Sequence, residues 1–215
     1  MPVRDDIDAA PREVFASWHR AQLEVERHAH EAPPPSGVLR TTGFLEPGLA
    51  ERVTRWFTGT PTAPADAVRR SYRVLERETA QLFELARRGL GVRVAYLRSQ
   101  SDPYGSAAEL CAELRERATL TLACDERHPL LGDRFDQLRV VHDVFGHAAL
   151  GVGFDLQSEF ATWLQCRTLF SPAARPAAFC ELVGAVTAYI TTGEKPGLRA
   201  DLPPAELIAA CDVNP

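Results

Sequence analysis

The sequence predicts a mostly α-helical single domain with a minor two-stranded β element, and three observations support this fold class. Apolar residues recur at spacings of three and four over long stretches, which is typical of amphipathic helices. Only two short segments, residues 92–97 and 119–123, alternate in polarity and are rich in β-forming residues. The 215 residues are 45% hydrophobic and 25% charged, as in an ordinary globular domain.

A proline run divides the N-terminal part of the chain. We expect a helix over residues 9–31, which the three consecutive prolines at 33–35 would end because proline cannot continue a helix. Residues 1–37 would then be an N-terminal helix and a proline-rich linker. Residues 38–215 would be a helical catalytic core, within one domain that spans 1–215.

Helices and two strands are expected in order along this core. A short helix near residues 47–57 precedes a long one over about 65–88, whose apolar positions form one face. Strands are expected at 92–97 and 119–123. The helix between them, over 106–117, would be capped by Ser106, with Glu109 placed three residues on as in a capping box. This order predicts a small parallel or mixed sheet.

Composition excludes several function classes. The net charge of −5 argues against a protein that coats nucleic acid, and no window of 18 consecutive apolar residues could span a membrane. The acidic N-terminus lacks the apolar stretch of a signal peptide. Five cysteines, without a C-x-x-C pair, indicate neither a disulfide framework nor a zinc ribbon. We therefore expect a cytoplasmic protein whose partners include neither nucleic acid nor membrane.

The most informative segment has the sequence LRVVHDVFGHAAL and lies at residues 138–150. It holds two of the six histidines, His142 and His147, with Asp143 beside the first. Its apolar neighbours predict a buried helix, where these side chains need partners, and a divalent metal would satisfy all three. An offset of five turns about 140° on a regular α-helix, so both imidazoles share a face only if the helix carries a π-bulge or loosens at Gly146. Asp143 and His147, four apart, share a face without distortion.

Two later glutamates are candidates to complete a metal site. Glu181 lies in an almost wholly apolar segment and is the stronger candidate, since a carboxylate is rarely buried there without a partner. Two histidines and one carboxylate form the facial triad of mononuclear non-haem iron enzymes. The sequence thus predicts metal binding by His142, His147 and Glu181. Asp143 would orient an imidazole or a bound water. Glu159 would support the site, relay protons, or act as a fourth ligand if two metals bind.

The motif H-D-V-F-G-H at residues 142–147, followed by Phe160, resembles the iron-binding stretch of aromatic amino acid hydroxylases. The resemblance covers about residues 135–190. It implies that both histidines and a later glutamate, here Glu181, bind Fe(II), and that dioxygen and a tetrahydropterin serve to hydroxylate an aromatic ring. Glu181 lies closer to the second histidine than the glutamate of that family does, while Thr187, near the expected offset, cannot be the ligand. The motif also resembles that of small bacterial and phage proteins without a known activity.

These observations predict a mononuclear non-haem Fe(II), O₂-dependent monooxygenase that hydroxylates a small aromatic or amino-acid-like substrate. Its partners would be that substrate and dioxygen, with a homodimer left open. One alternative is a Zn²⁺ or Mn²⁺ hydrolase in which Asp143 or Glu159 is the base, although the zincin motif H-E-x-x-H is absent. The other is a non-catalytic helical module with a structural metal or a satisfied polar core.

The remaining candidate residues show weaker signals of function. We expect His128 to be exposed in a charged loop. Arg139 would pair with a substrate carboxylate, with Asp136 or with Glu181. Three further histidines are expected on a solvated face: His19, His28 and His30. Five aromatic residues are candidates to line a pocket, although most are expected in the core: Tyr104, Phe145, Phe154, Phe160 and Trp163.

Overall fold

The computed structural model describes residues 12–41, 48–97, 103–123 and 127–211, and the fold is mostly α-helical as expected. Its α-helices are α1 (His19–His28), α2 (Ser36–Leu39), α3 (Leu49–Thr58), α4 (Ala65–Glu84), α5 (Ala107–Arg117), α6 (Arg134–His142), α7 (Leu156–Cys166), α8 (Arg175–Phe179), α9 (Ala185–Thr192) and α10 (Ala205–Cys211). Three π-helical turns continue α4, α6 and α8, at Leu85–Gly89, Asp143–Ala148 and Cys180–Gly184. A 3₁₀ turn, Arg167–Leu169, follows α7.

The two predicted strands pair in parallel, and this is one of the two arrangements, parallel or mixed, that the sequence predicts. Strands β1 (Arg93–Leu97) and β2 (Thr119–Ala123) are joined by α5, which begins where the capping pattern placed it. The Ser106 hydroxyl accepts the backbone N–H of Glu109 at 3.3 Å, and the Glu109 carboxylate accepts the N–H of Gly105 at 2.9 Å. These bonds satisfy N–H groups that a helix start otherwise leaves unpaired.

The long helix α4 supplies one wall of the core. Tyr72, Leu75, Thr79 and Leu82 on its predicted apolar face are all buried, and the helix packs against α6 and α8. Helix α7 lies at the centre, because all 11 of its residues are buried. A polar side chain on α7 therefore needs a partner within the protein.

The helix expected over residues 9–31 is shorter than predicted. Residues 9–11 lie outside the described part of the chain, and residues 12–18 are not helical. Instead, the N–H of Phe15 donates to the carbonyl of Gly151 at 2.9 Å and that of Trp18 to Ala148 at 2.6 Å. The backbone there pairs with the end of the histidine-bearing segment, so only His19–His28 forms a helix. No helix in the described residues is long and apolar enough to cross a bilayer.

Candidate metal centre

A π-helical turn brings the two histidines of the motif together. His142 is the last residue of α6 and His147 lies in the following turn, Asp143–Ala148. The turn absorbs one extra residue, so an offset of five returns to the same helix face. The two imidazole centroids are 4.7 Å apart with ring planes at 81°. This confirms the first of the two distortions that the spacing required.

Glu159 is the carboxylate that lies against both imidazoles. It stands in the first turn of α7, which the Asp155 side chain caps by accepting the N–H of Ser158 at 2.9 Å. Its Oε2 atom lies 3.4 Å from Nε2 of His142, and its Oε1 atom 3.5 Å from Nε2 of His147. One ligand atom from each of the three residues lies within 4.8 Å of the others. Glu159 is only 5% exposed, although the residues Asp155 and Gln157 that precede it are polar.

The hydrogen bonding of His147 fits a metal ligand. Its Nδ1–H donates to the carbonyl of Val152 at 3.2 Å, which leaves Nε2 as the nitrogen that faces Glu159 and could bind a metal. Within the described residues, Nε2 of His147 and Oε2 of Glu159 are buried and have no hydrogen-bond partner. Buried polar atoms without a partner are rare and costly. A divalent cation between them would satisfy both, so these residues fit the metal that the sequence predicted.

Thr162 links His142 to the backbone of α7. Its hydroxyl donates to the carbonyl of Glu159 at 2.7 Å and lies 2.9 Å from Nε2 of His142. Since the hydroxyl proton is already used, Nε2 of His142 is the donor in this contact. To bind a cation through Nε2, the imidazole must carry its proton on Nδ1 instead. Nδ1 lies 3.7 Å from Oδ1 of Asp143, which is where the predicted orienting carboxylate would act.

The pKa values of the two imidazoles are shifted in opposite directions. Burial, and to a smaller extent the nearby His147, lower the pKa of His142 to about 4, against the opposing effect of Glu159. Burial also opposes the charged form of His147, but the Glu159 carboxylate outweighs this effect and raises the pKa of His147 to about 9. At neutral pH the imidazole of His147 is therefore protonated when no cation is bound.

Gly146 allows the histidine-bearing turn to approach α7 closely. A Cβ atom at this position would lie 2.9 Å from Cβ of Thr162 and 3.3 Å from Sγ of Cys166. Such contacts are shorter than side chains tolerate, so any residue larger than glycine would push the turn away from Glu159.

The three residues line a cavity of about 470 Å³. Of the five aromatic candidates, Tyr104 and Phe154 line it, together with Phe135. The other three are buried in the core: Phe145, Phe160 and Trp163. The cavity therefore combines one polar cluster with aromatic walls, which is typical of a small-molecule site.

Glu181, the carboxylate that the sequence favoured, is held in a different cluster. It lies in the π-helical turn after α8 and lines the same cavity. Its Oε1 atom accepts the hydroxyl of Tyr72 and, at 3.1 Å, a hydrogen bond from Nε2 of His128. The group of three ligand atoms contains Glu159 and not Glu181.

The expectation that His128 is exposed is wrong. The residue is 2% exposed, and it begins a turn that an antiparallel bridge between His128 and Gly132 closes. Its Nδ1 atom accepts the N–H groups of Leu130 and Leu131, and its ring stacks between Tyr72 and Phe135. Neither Tyr72 nor His128 was recognised as a site residue. The apolar face of α4 predicts that Tyr72 is buried, but no local sequence pattern predicts that its hydroxyl donates to Glu181.

The other polar candidates lie largely where expected. Arg139 lines the cavity and pairs with Asp136 at 3.3 Å, one of the partners that the sequence allowed. It also donates to the carbonyl of Ala123 at 3.0 Å. The three histidines assigned to a solvated face are exposed: His19, His28 and His30.

The chain matches no protein-family model, no curated protein and no solved structure at a significant level. The geometry alone therefore characterises the site: two imidazoles and one carboxylate form a largely buried cluster that fits a divalent cation.

Proposed function

We propose that this chain is a mononuclear non-haem Fe(II) monooxygenase, with His142, His147 and Glu159 as its metal ligands. The observation that carries the proposal is the meeting of two imidazoles and one carboxylate around a common point. Three ligands on one side leave further positions of an octahedral ion free, as the facial triad of such enzymes does. Bound Fe(II) would supply the activation of dioxygen and the transfer of one oxygen atom to the substrate.

The protein's own residues would orient the histidine ligands and bind the substrate. The Val152 carbonyl fixes the tautomer of His147, and Asp143 would accept the Nδ1 proton of His142 once Nε2 faces the metal. The aromatic walls formed by Phe135 and Phe154 would hold a small aromatic or amino-acid-like substrate and limit the entry of water. Because hydroxylation by dioxygen consumes two electrons, a reductant is needed. The resemblance to aromatic amino acid hydroxylases makes a tetrahydropterin our choice.

A cytoplasmic location is part of the proposal. Four cysteines in the described residues are free thiols and buried: Cys111, Cys166, Cys180 and Cys211. Free thiols persist in a reducing compartment, where Fe(II) is also available. Burial raises the pKa of Cys166 and of Cys180, so these thiols are expected to stay protonated rather than to act as nucleophiles.

The proposal is tested with Fe(II)-loaded protein under nitric oxide. We expect a high-spin iron–nitrosyl EPR signal in the wild type, which His147→Ala and Glu159→Gln abolish and which His19→Ala, an exposed control, retains. Oxygen uptake should require Fe(II) and increase when a tetrahydropterin and an aromatic amino acid are supplied. Equal EPR signals in His147→Ala and His19→Ala would contradict the ligand assignment. A normal signal without oxygen uptake would leave a metal site that is no oxygenase.

One observation favours a zinc or manganese hydrolase as the second candidate. Asp143 lines the cavity beside His142 and is not among the three grouped ligands, and in this alternative it would act as the general base toward a metal-bound water. This reading predicts tightly held zinc, hydrolysis of ester or amide probes, and loss of that hydrolysis in Asp143→Asn with zinc retained. The oxygenase predicts oxygen uptake and no such hydrolysis.

A further inference from the structure

A second buried acidic group faces the cavity, apart from the candidate metal ligands. Glu181 is 8% exposed and lines the cavity that also contains His142, His147 and Glu159. It is not part of the group that could share one metal ion. The mechanism proposed above gives it no role.

The partners of Glu181 hold one of its oxygens without neutralising its charge. Oε1 accepts the hydroxyl of Tyr72 and a hydrogen bond from Nε2 of His128. Because Nδ1 of His128 accepts two backbone N–H groups, at 3.2 and 2.9 Å, the ring carries its single hydrogen on Nε2. The imidazole and the tyrosine therefore both donate to the carboxylate as neutral groups, and neither brings a positive charge to it.

No lysine or arginine in the described part of the chain forms an ion pair with Glu181. Its one ion-pair contact is with His128. A carboxylate removed from water without a cation is costly, and proteins rarely keep one in that state. Two buried rings nevertheless hold this carboxylate in place at the cavity wall. Arg139 and Lys195 line the same cavity, but neither forms an ion pair with Glu181 within the described residues. A molecule in the cavity can supply the positive charge that this carboxylate lacks.

We propose that Glu181 is a subsite for a cationic nitrogen group, an ammonium or a guanidinium, on a small molecule with an apolar body. Phe135 stacks on His128 with ring centroids 5.3 Å apart and also lines the cavity, so an aromatic surface adjoins the carboxylate. A neutral donor would leave the buried charge uncompensated, whereas a cation forms a charge-assisted hydrogen bond with it. As a statement about the substrate of the oxygenase, the proposal rests on the function proposed above, but the subsite itself does not need the metal.

The test compares phenethylamine, a cation at neutral pH, with 2-phenylethanol, a neutral molecule of similar size, by titration calorimetry of zinc-loaded protein. We expect the cation to bind the wild type at least roughly 10-fold more tightly, as a hydrogen bond between charged groups allows. Glu181→Gln should remove this preference. Glu113→Gln is the matched control, because Glu113 also accepts a tyrosine hydroxyl, that of Tyr104 at 2.8 Å, but does not line the cavity. This control should keep the preference.

Three results would overturn the proposal: equal affinities in the wild type, an unchanged preference in Glu181→Gln, or loss of zinc in Glu181→Gln, which would make Glu181 a metal ligand. If that variant does not fold, NMR of the wild type decides. The ring protons of His128 should shift on adding phenethylamine and not on adding 2-phenylethanol, and no difference would count against the subsite. Repeating both titrations with metal-free protein separates the two proposals, because the cation preference should survive there even if the metal site proves wrong.

Discussion

Gly146→Ala would place a methyl group between the histidine-bearing π turn and α7. The new Cβ atom would lie 2.9 Å from Cβ and 3.2 Å from Cγ2 of Thr162, and 3.3 Å from Sγ of Cys166. Both neighbours are buried, and the nearest atom is a Cβ that cannot rotate away. Overpacking of this kind costs about 1–3 kcal/mol of unfolding free energy. Because Thr162 lies one turn after Glu159 on α7, relief of the clash moves the carboxylate away from the imidazoles.

We therefore expect two effects of Gly146→Ala, a lower urea midpoint and a zinc affinity reduced by roughly 10- to 100-fold, as for other changes that displace metal ligands. Gly37→Ala is the control, since a Cβ there has no atom within 4 Å; because Gly37 lies in α2, its stability should equal the wild type's or exceed it by up to about 1 kcal/mol. Competition with a zinc chelator gives the affinity. Wild-type stability and affinity in Gly146→Ala would refute the close contact between the two helices.

Three further predictions concern pH, the second cluster and a helix cap. The pKa of His147 is raised to about 9, so zinc binding at pH 7 should displace one proton from this residue. The zinc affinity should therefore increase roughly tenfold per pH unit between about pH 6 and 8. A zinc affinity that does not change with pH in chelator competition would contradict this. In metal-free protein the same shift stabilises the fold fully below the unfolded value of about 6.5, and urea unfolding should show this stabilisation lost as the pH rises toward 9. Tyr72→Phe should lower the unfolding free energy in urea by about 1–3 kcal/mol, because Glu181 loses a buried hydrogen bond; a loss under about 0.5 kcal/mol would argue against that bond. Ser106→Ala should cost about 1 kcal/mol through the lost cap of α5, and an unchanged urea midpoint would argue against it.

Local sequence patterns predicted most of the fold. The apolar stripe of α4, the cap at Ser106 and the alternation in both strands are each set by residues a few positions apart, so they could be read directly. The π turn was one of the two distortions, beside a loosening at Gly146, through which local information allowed His142 and His147 to share a face. The helix predicted over residues 9–31 was too long, because residues 12–18 form backbone hydrogen bonds to Gly151 and Ala148, which lie far away in the sequence.

The carboxylate that joins the two histidines could not be chosen by local pattern. Glu181 stands among apolar residues, Glu159 stands between polar and aromatic ones, and both prove to be buried. Their partners decide between them: α7 carries Glu159 to the imidazoles, while Tyr72 and His128 hold Glu181. The exposure predicted for His128 was wrong for the same reason. Its charged neighbours in the sequence do not indicate that its ring stacks between Tyr72 and Phe135.

Anomalous diffraction from crystals grown with Zn²⁺ tests the shared cation site most directly. We expect one peak roughly 2.0–2.2 Å from Nε2 of His142, from Nε2 of His147 and from a carboxylate oxygen of Glu159, with the Glu181 carboxylate still bonded to Tyr72. A peak bound by Glu181 in place of Glu159, or no peak between the two imidazoles, would contradict the account.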